Sequence, residues 1–230
     1  MPSKATLARL NKLHYKMSDG SKKDREKAIK KADKIGYEVA SHKRGIAHFT
    51  AKDNNDKHHV VTVKGTNPSF GKDLMSDIHL AIGKSSTDKQ FKKRNNEIKK
   101  IYSGIDNNED KHLTGHSLGA GIVTHSMAKS KSIRDNTKSA HAFNTGMTPA
   151  FNKELQKDLK KDDKKELKAK LTHHHVKNDP ISAALTIGSQ VGRVKTTAAK
   201  AASPHSLDNH HADKSLKDKD EPVAEEPPSE

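Results

Sequence analysis

The stretch Lys111–Gly121, KHLTGHSLGAG, decides how the rest of the chain is read. At its centre, Gly115-His116-Ser117-Leu118-Gly119 fits G-x-S-x-G. The pattern has a steric basis. A serine on a very sharp strand-to-helix turn sits in a strained backbone, and Gly115 and Gly119 leave the chain room to fold back on itself. The turn lifts the Ser117 Oγ above the sheet. It also puts the Leu118 N–H at a helix N-terminus, where it can hold an oxyanion. Downstream, Ala120–Ala128 is small and apolar at helical spacing, as a helix laid on a sheet should be. Upstream, Lys111-His112-Leu113-Thr114 predicts a weak strand with one large apolar residue.

Outward from this segment, strands alternate with helices. Residues 3–36 carry Leu7, Leu10, Leu13, Tyr15, Ala28, Ile29, Ala32 and Ile35, with a break at Gly20. They predict two helices, the second stopping at Gly36. Tyr37–Thr50 and Lys57–Lys64 predict strands joined by a turn at residues 53–56, and Val60–Val63 is the strongest strand signal in the chain. Gly65–Gly71 reads as a loop and Asp73–Gly83 as a mixed segment. Asp88–Tyr102 predicts an exposed amphipathic helix. Ser139–Asn144 predicts a short strand, Lys153–Lys170 a highly charged helix, and Leu171–Lys177 a strand ending at Asn178-Asp179-Pro180. Ser182–Ala202 is small and weakly apolar. The alternation implies an α/β class with a mostly parallel central sheet flanked by helices. We divide the chain into a domain over residues 1–212 and a tail over 213–230. The tail, with seven acids and three lysines among its prolines, is expected to be disordered.

Composition narrows the function classes. The 230 residues carry a net charge of +15, an apolar fraction of 30% and an aromatic fraction of 3%. The core must therefore be small. The positive charge attracts anionic partners, either phospholipid headgroups or nucleic acid. Nucleic-acid grooves interleave aromatics with basic residues. That interleaving is absent here and no specific nucleic-acid motif is found, which favours peripheral contact with an anionic membrane. With no cysteine, disulfides and thiolate metal sites are excluded. The basic N-terminus lacks the apolar region of a secretory signal, and no run reaches the length of a membrane span. The expectation is a soluble protein, cytoplasmic or virion-associated.

A nucleophilic serine needs a general base, and the base needs an orienting carboxylate. Where the serine sits on such an elbow, the acid and then the histidine follow it in the chain. Asp179 is the best-placed acid. It comes just past a predicted strand and before Pro180, on the edge where parallel sheets keep their sites. The competing reading is an ordinary Asp-Pro turn. The candidate bases are His205, His210 and His211. The chain holds 16 histidines, which raises a metal site as a competing reading. His173 and His175 share one strand face while His174 takes the other, and His58-His59 splits likewise. Two ligands on a face are too few, so no metal and no cofactor is expected.

Taken together, the segments resemble the class 3 (fungal-type) lipase family of α/β-hydrolases. Gly115–Ala120 resembles that family's GHSLGGA elbow, with Gly121 displaced by one. Val60-Val61-Thr62-Val63-Lys64-Gly65-Thr66 is similar to its VVxFRGT strand, and Asp73-Leu74-Met75-Ser76-Asp77 to the DWxxD-type segment after it. Ala142–Pro149 is a degraded TFGxPRVG block. Val176–Ile181 is similar to the block around the family's acid. His205-Ser206-Leu207-Asp208-Asn209 resembles the HSLxNY ending of intracellular and viral members, and the lysine-rich, lid-poor form resembles members from large DNA viruses. Carried by these six blocks, the resemblance covers roughly residues 5–211. The departures are Lys64 for the usual Arg, Leu74 for the Trp and loss of the Pro-Arg in the TFGxPRVG block.

The resemblance implies Ser117 as nucleophile, Asp179 as orienting acid and His205 as base, with the N–H groups of Thr66 and Leu118 as the oxyanion hole. It implies a lipase, esterase or phospholipase that hydrolyses acyl esters through an acyl-enzyme, acting on an acyl-ester or phospholipid substrate. Ser85–Gly104 is mostly polar, so no greasy lid is expected there, and Ile181–Val194 is the best lipid-facing candidate, with core packing the safer reading of that segment. Two readings from other classes compete: a basic membrane- or nucleic-acid-binding protein on a dead hydrolase fold, and a structural component of a larger particle with the acidic tail as a contact element.

Overall fold

A computed structural model of the chain describes residues 1–43, 45–53, 56–65, 85–179, 191–198, 203 and 205–210. Two helices lead, α1 (Lys4–Asp19) and α2 (Lys22–Lys34). Each begins on a serine. Ser3 Oγ accepts the Thr6 N–H at 3.0 Å, and Ser21 Oγ accepts the Asp24 N–H at 3.2 Å while Asp24 returns a bond to the Ser21 N–H at 3.1 Å. These bonds satisfy amide donors that a helix start leaves open. Gly20 ends α1, and Gly36, with φ +85°, follows α2.

The predicted strand Tyr37–Thr50 is in fact two. β1 (Tyr37–Lys43) and β2 (Ile46–Ala51) pair antiparallel, with a bulge between Val39 and Ser41. The reversal at Gly45 joins two arms of like alternation, so the hairpin reads in sequence as one run. β3 (His58–Val63) pairs antiparallel with β2. From there β4 (Asp110–His116), β5 (Ser139–Phe143), β6 (Leu171–Val176) and β7 (Arg193–Thr197) run parallel. The seven strands lie in sequence order, β1 to β7.

That order dictates the layers. Parallel neighbours taken in sequence order and joined by right-handed crossovers put every connecting helix on the same face. These helices are α3 (Ser85–Tyr102), α4 (Leu118–Lys129), α5 (Lys131–Asn136), α6 (Pro149–Lys157) and α7 (Lys161–Lys170). On this face Val61, Val63, Leu113, Ala140 and Ala142 meet Ile122 and Met127 of α4, Phe91 and Ile98 of α3, and Leu155 and Leu167 of α6 and α7. The opposite face falls to α1 and α2. There Leu7, Leu10, Leu13 and Met17 pack with Ala28, Ala32, Phe49, Val60 and Phe143. Leu207, on a short 3-10 turn over Leu207–His210, closes this second core.

Other expectations need correction. The helix predicted over Lys153–Lys170 is two helices. α6 starts four residues earlier, on Pro149 capped by Thr148, and α7 restarts where the Asp163 carboxylate accepts the Lys160 N–H at 3.1 Å. The amphipathic helix predicted over Asp88–Tyr102 is found over Ser85–Tyr102, with Phe91, Ile98 and Tyr102 buried in the core and Lys92, Lys93, Lys99 and Lys100 exposed. The weak strand at Lys111–Thr114 is the middle strand of the sheet, β4. The small, weakly apolar segment Ser182–Ala202 contains β7, whose Arg193, Val194, Lys195 and Thr196 are exposed. Of the lipid-facing candidate Ile181–Val194, only residues 191–194 are described; Val191 is buried and Val194 exposed. The loop at 66–71, the mixed segment at 73–83 and the tail at 213–230 lie outside the described residues. Among the described residues, no helix is long and apolar enough to cross a membrane.

Candidate active site

Ser117 stands between the end of β4 and the start of α4 with φ 58° and ψ −127°, a conformation that non-glycine residues rarely adopt. The surroundings hold it there. Its N–H donates to the Phe143 carbonyl at 3.0 Å, and its own carbonyl accepts from the N–H groups of Ala120, Gly121 and Gly146 at 3.0, 3.2 and 2.9 Å. The two motif glycines have steric jobs. A Cβ on Gly115 would lie 2.5 Å from the Gly119 carbonyl oxygen. A Cβ on Gly119 would run into the Val63 carbonyl oxygen and come within 2.8 Å of the Gly65 nitrogen. The end of β3 is thus backed directly onto the elbow. A Cβ on Gly65 would lie 3.0 Å from the Leu118 nitrogen. The Leu118 N–H heads α4 in that space. Thr66, the other expected oxyanion donor, follows Gly65 but lies outside the described residues.

Asp179 comes three residues after β6, in a turn where Asn178 takes φ 65° and the Asp179 N–H donates to Val176 at 3.1 Å. The structure brings Asp179 and His205 together. The His205 Nδ1 lies 3.1 and 3.0 Å from the two Asp179 carboxylate oxygens, and Asp179 is fully buried. A buried carboxylate needs such a donor. The bond fixes the neutral tautomer of His205, with Nδ1–H on the acid and Nε2 bare. Ser117 Oγ and His205 Nε2 are both buried without a hydrogen-bond partner. They do not bond to each other here; in unliganded active sites such contacts are often long and tighten when a ligand binds.

The other candidate bases are accounted for. His210 Nε2 lies 3.2 Å from Asn144 Oδ1, and its ring lies on Phe143, centroids 4.9 Å apart. His211 is outside the described residues. The strand histidines split between faces as expected. His173 bonds Thr145 Oγ1 at 2.9 Å and the Val191 carbonyl at 2.8 Å, whereas His174 bonds His141 at 2.9 Å. Both ring nitrogens of His173 are therefore occupied by the protein. Among the described residues no group of three or more His, Asp or Glu could hold a metal ion.

Two neighbours of the site were not singled out in sequence. His116, just before the nucleophile, is buried beside His205, ring centroids 4.7 Å apart, and its Nε2 lies 2.9 Å from the His205 carbonyl. Burial, reinforced by the charge His205 would carry, lowers its pKa to about 3. Tyr15, from α1, places its hydroxyl 3.2 Å from His116 Nδ1. Lys64 reaches both carboxylate oxygens of Asp19 at 2.5 and 2.6 Å and lies over the Tyr15 ring. His116 belongs to the motif itself, but nothing in the local sequence marks Tyr15 or Asp19.

The mostly parallel sheet, the strained serine between its middle strand and the following helix, and the chain order serine, aspartate, histidine make this an α/β-hydrolase fold. No protein-family profile matches the chain, and no curated protein does. Several solved structures are similar to it. A fungal lipase is 14% identical, with 88% of this chain and 81% of that one covered and a TM-score of 0.46. Est1E from Butyrivibrio proteoclasticus is 11% identical, with 76% and 96% covered and a TM-score of 0.43. A thermostable esterase from Pseudomonas putida is 12% identical, with 90% and 91% covered and a TM-score of 0.41.

Proposed function

We propose that this chain is a serine hydrolase cleaving carboxylic acyl esters of lipids. The observation that carries the reading is the buried Asp179–His205 pair on the sheet edge where Ser117 is held at positive φ. A surface loop or a structural turn gains nothing from burying a carboxylate against an imidazole whose far nitrogen is left bare.

In the proposed reaction, His205 Nε2 takes the Ser117 proton as Oγ attacks the ester carbonyl. Asp179 holds the imidazole in the required tautomer and stabilises the imidazolium. The N–H groups of Leu118 and Thr66 receive the developing oxyanion. His205 then protonates the leaving alcohol. A water, deprotonated by the same nitrogen, releases the acid and restores Ser117. The net charge of +15 favours anionic phospholipid surfaces over neutral triglyceride as the place of action.

The test is turnover of a p-nitrophenyl ester series and of anionic phospholipid vesicles by wild type and Ser117→Ala, beside labelling by a fluorophosphonate. Wild type should turn over and be labelled, and the variant should lose at least about 10³-fold in kcat. Equal turnover in the variant would sink the reading. A folded wild type that is neither active nor labelled moves the assignment to a basic binding protein, recognised by salt-sensitive binding that ignores Ser117→Ala.

A further inference from the structure

Three hydrogen bonds run in series past Ser117. The Gly65 N–H lies 3.1 Å from the Tyr15 hydroxyl oxygen, that hydroxyl 3.2 Å from His116 Nδ1, and His116 Nε2 2.9 Å from the His205 carbonyl. Their directions are forced from the far end. A carbonyl only accepts, so His116 must carry its proton on Nε2. Its ring is neutral, because burial keeps its pKa near 3. Nδ1 is then a bare acceptor, and the Tyr15 O–H must donate to it. The Tyr15 oxygen is left to accept the Gly65 N–H. Burial also raises the Tyr15 pKa above its ordinary value, which keeps the phenol protonated and able to donate.

Each end of the chain is a part of the proposed machinery. Gly65 immediately precedes Thr66 in the chain and is backed onto the Leu118 nitrogen. His116 is bonded in sequence to Ser117. His205 carries the imidazole. α1 itself is fixed to this edge by Asp19 on Lys64 and by Lys12 on Asp208 at 2.6 Å.

We propose that Tyr15 is a positioning residue: its hydroxyl holds the end of β3 in register with the Ser117 elbow and, through His116, sets the backbone of His205. The proposal rests on the serine-hydrolase reading above. It assigns to the N-terminal helix, which contributes nothing to the triad, a direct part in aligning oxyanion hole, nucleophile and base. Misplacement of such groups by an ångström can cost up to about 10²-fold in rate.

The test is a double-mutant cycle on the full chain. An Asn carboxamide places an oxygen near the position of an imidazole Nδ1, and a Gln places a nitrogen near that of Nε2. His116→Gln therefore keeps a donor for the His205 carbonyl and cuts the link to Tyr15; His116→Asn does the reverse. Tyr15→Phe should lower kcat about tenfold with KM changed less than twofold. In the His116→Gln background Tyr15→Phe should lower kcat much less, whereas in His116→Asn its effect should persist. A Tyr15→Phe variant that keeps wild-type kcat, or that multiplies fully with His116→Gln, overturns the proposal. A loss confined to melting temperature does so too, since a merely structural tyrosine would give that result. Ring 15N shifts of His116 in wild type provide a readout that needs no turnover. They should show the Nε2–H tautomer, and an Nδ1–H tautomer overturns the scheme. A wild type with the expected tautomer and no ester turnover would bring down the hydrolase reading, and the catalytic meaning of Tyr15 with it, while leaving the hydrogen-bond chain in place.

Discussion

Helices α1 and α4 cross the same three strands, β3, β4 and β5, from opposite faces of the sheet. They do it by different physics. α4 is small and apolar, and it settles so close that Gly119 touches the backbone of β3. Under it, Val61, Val63, Leu113, Ala140 and Ala142 present an apolar floor. α1 has its stripe of leucines, but it also sets polar teeth into the strands. Asn11 donates to Thr114 Oγ1 at 2.8 Å, His14 Nδ1 lies 2.8 Å from Thr62 Oγ1, and Tyr15 reaches His116. The α4 side is held by non-directional burial, which constrains volume. The α1 side is held by directional bonds, which constrain register. The second kind of hold suits the face where residues from distant parts of the chain must meet at one edge.

Acid should break the comparison most strongly. On the α1 side burial is the leading cause that lowers the pKa of His14 and His116 to about 3, of His112 and His141 to about 4 and of His174 to about 2. All lie below the ordinary value of 6.5, so protons favour the unfolded chain. The stability these rings contribute is whole above pH 6.5 and is lost as pH falls from 6.5 toward each ring's lowered value, from about 4 for His112 and His141 down to about 2 for His174. Each buried ring can withdraw about 1.4 kcal/mol per pH unit in that window. His173, on the other face, is lowered to about 4 and adds its share. Melting temperature should fall steeply between pH 6.5 and pH 5. In hydrogen exchange the amides of α1 should lose protection before those of α4. Simultaneous loss on both faces would erase the distinction drawn here.

Gly119→Ala tests the other side. Its methyl would be driven into the backbone of Val63 and Gly65, and neither is the end of a flexible side chain. We expect a loss of about 2–3 kcal/mol in urea unfolding, with no acid dependence of its own. A cost under about 0.5 kcal/mol would show that α4 has slack, and that its close approach does not define the elbow.

Asn11→Ala removes donations to Thr114 Oγ1 at 2.8 Å and to the Leu7 carbonyl at 2.9 Å. The Asn11 Oδ1 is buried without a partner, so its removal returns part of the loss. The net should be about 1 kcal/mol by the same unfolding measurement. The smallest effect is expected from Asp19→Asn, at most about 1 kcal/mol in stability, because the carboxamide keeps an oxygen that accepts from the Lys64 ammonium although the pair is mostly covered. The difference between wild type and variant should shrink between low and high salt. A salt-independent loss would mean that Asp19 acts by packing.

The same contrast explains what could be read in advance. The elbow was legible because G-x-S-x-G is a steric requirement compressed into five residues. The strand before it was only weakly legible. β4 is central, yet its α1-facing residues are His112, Thr114 and His116, whose partners Ser139, Asn11 and Tyr15 come from elsewhere in the chain. Without those partners the residues read as no more than a weak strand. The hairpin at Gly45 and the break between α6 and α7 were missed because local alternation and charge do not say where a chain reverses. β7 was missed because an edge strand with both faces exposed carries no burial pattern.

By itself the sequence determined the α/β class, the sharp turn at Ser117, the strength of Val60–Val63 and the short set of acids and histidines that could complete a triad. These follow from local sterics and periodicity, which act over a few residues. From the residues alone three histidines stayed open and the family resemblance pointed to His205; the bond between His205 and the buried Asp179 came only with the structure. The place of His210 on Asn144, the tautomer of His116 and the anchoring of β3 by Tyr15 were decided only by the tertiary structure. Each depends on groups tens of residues apart meeting within hydrogen-bond distance, and that meeting is fixed by how two helical layers bury the two faces of one sheet.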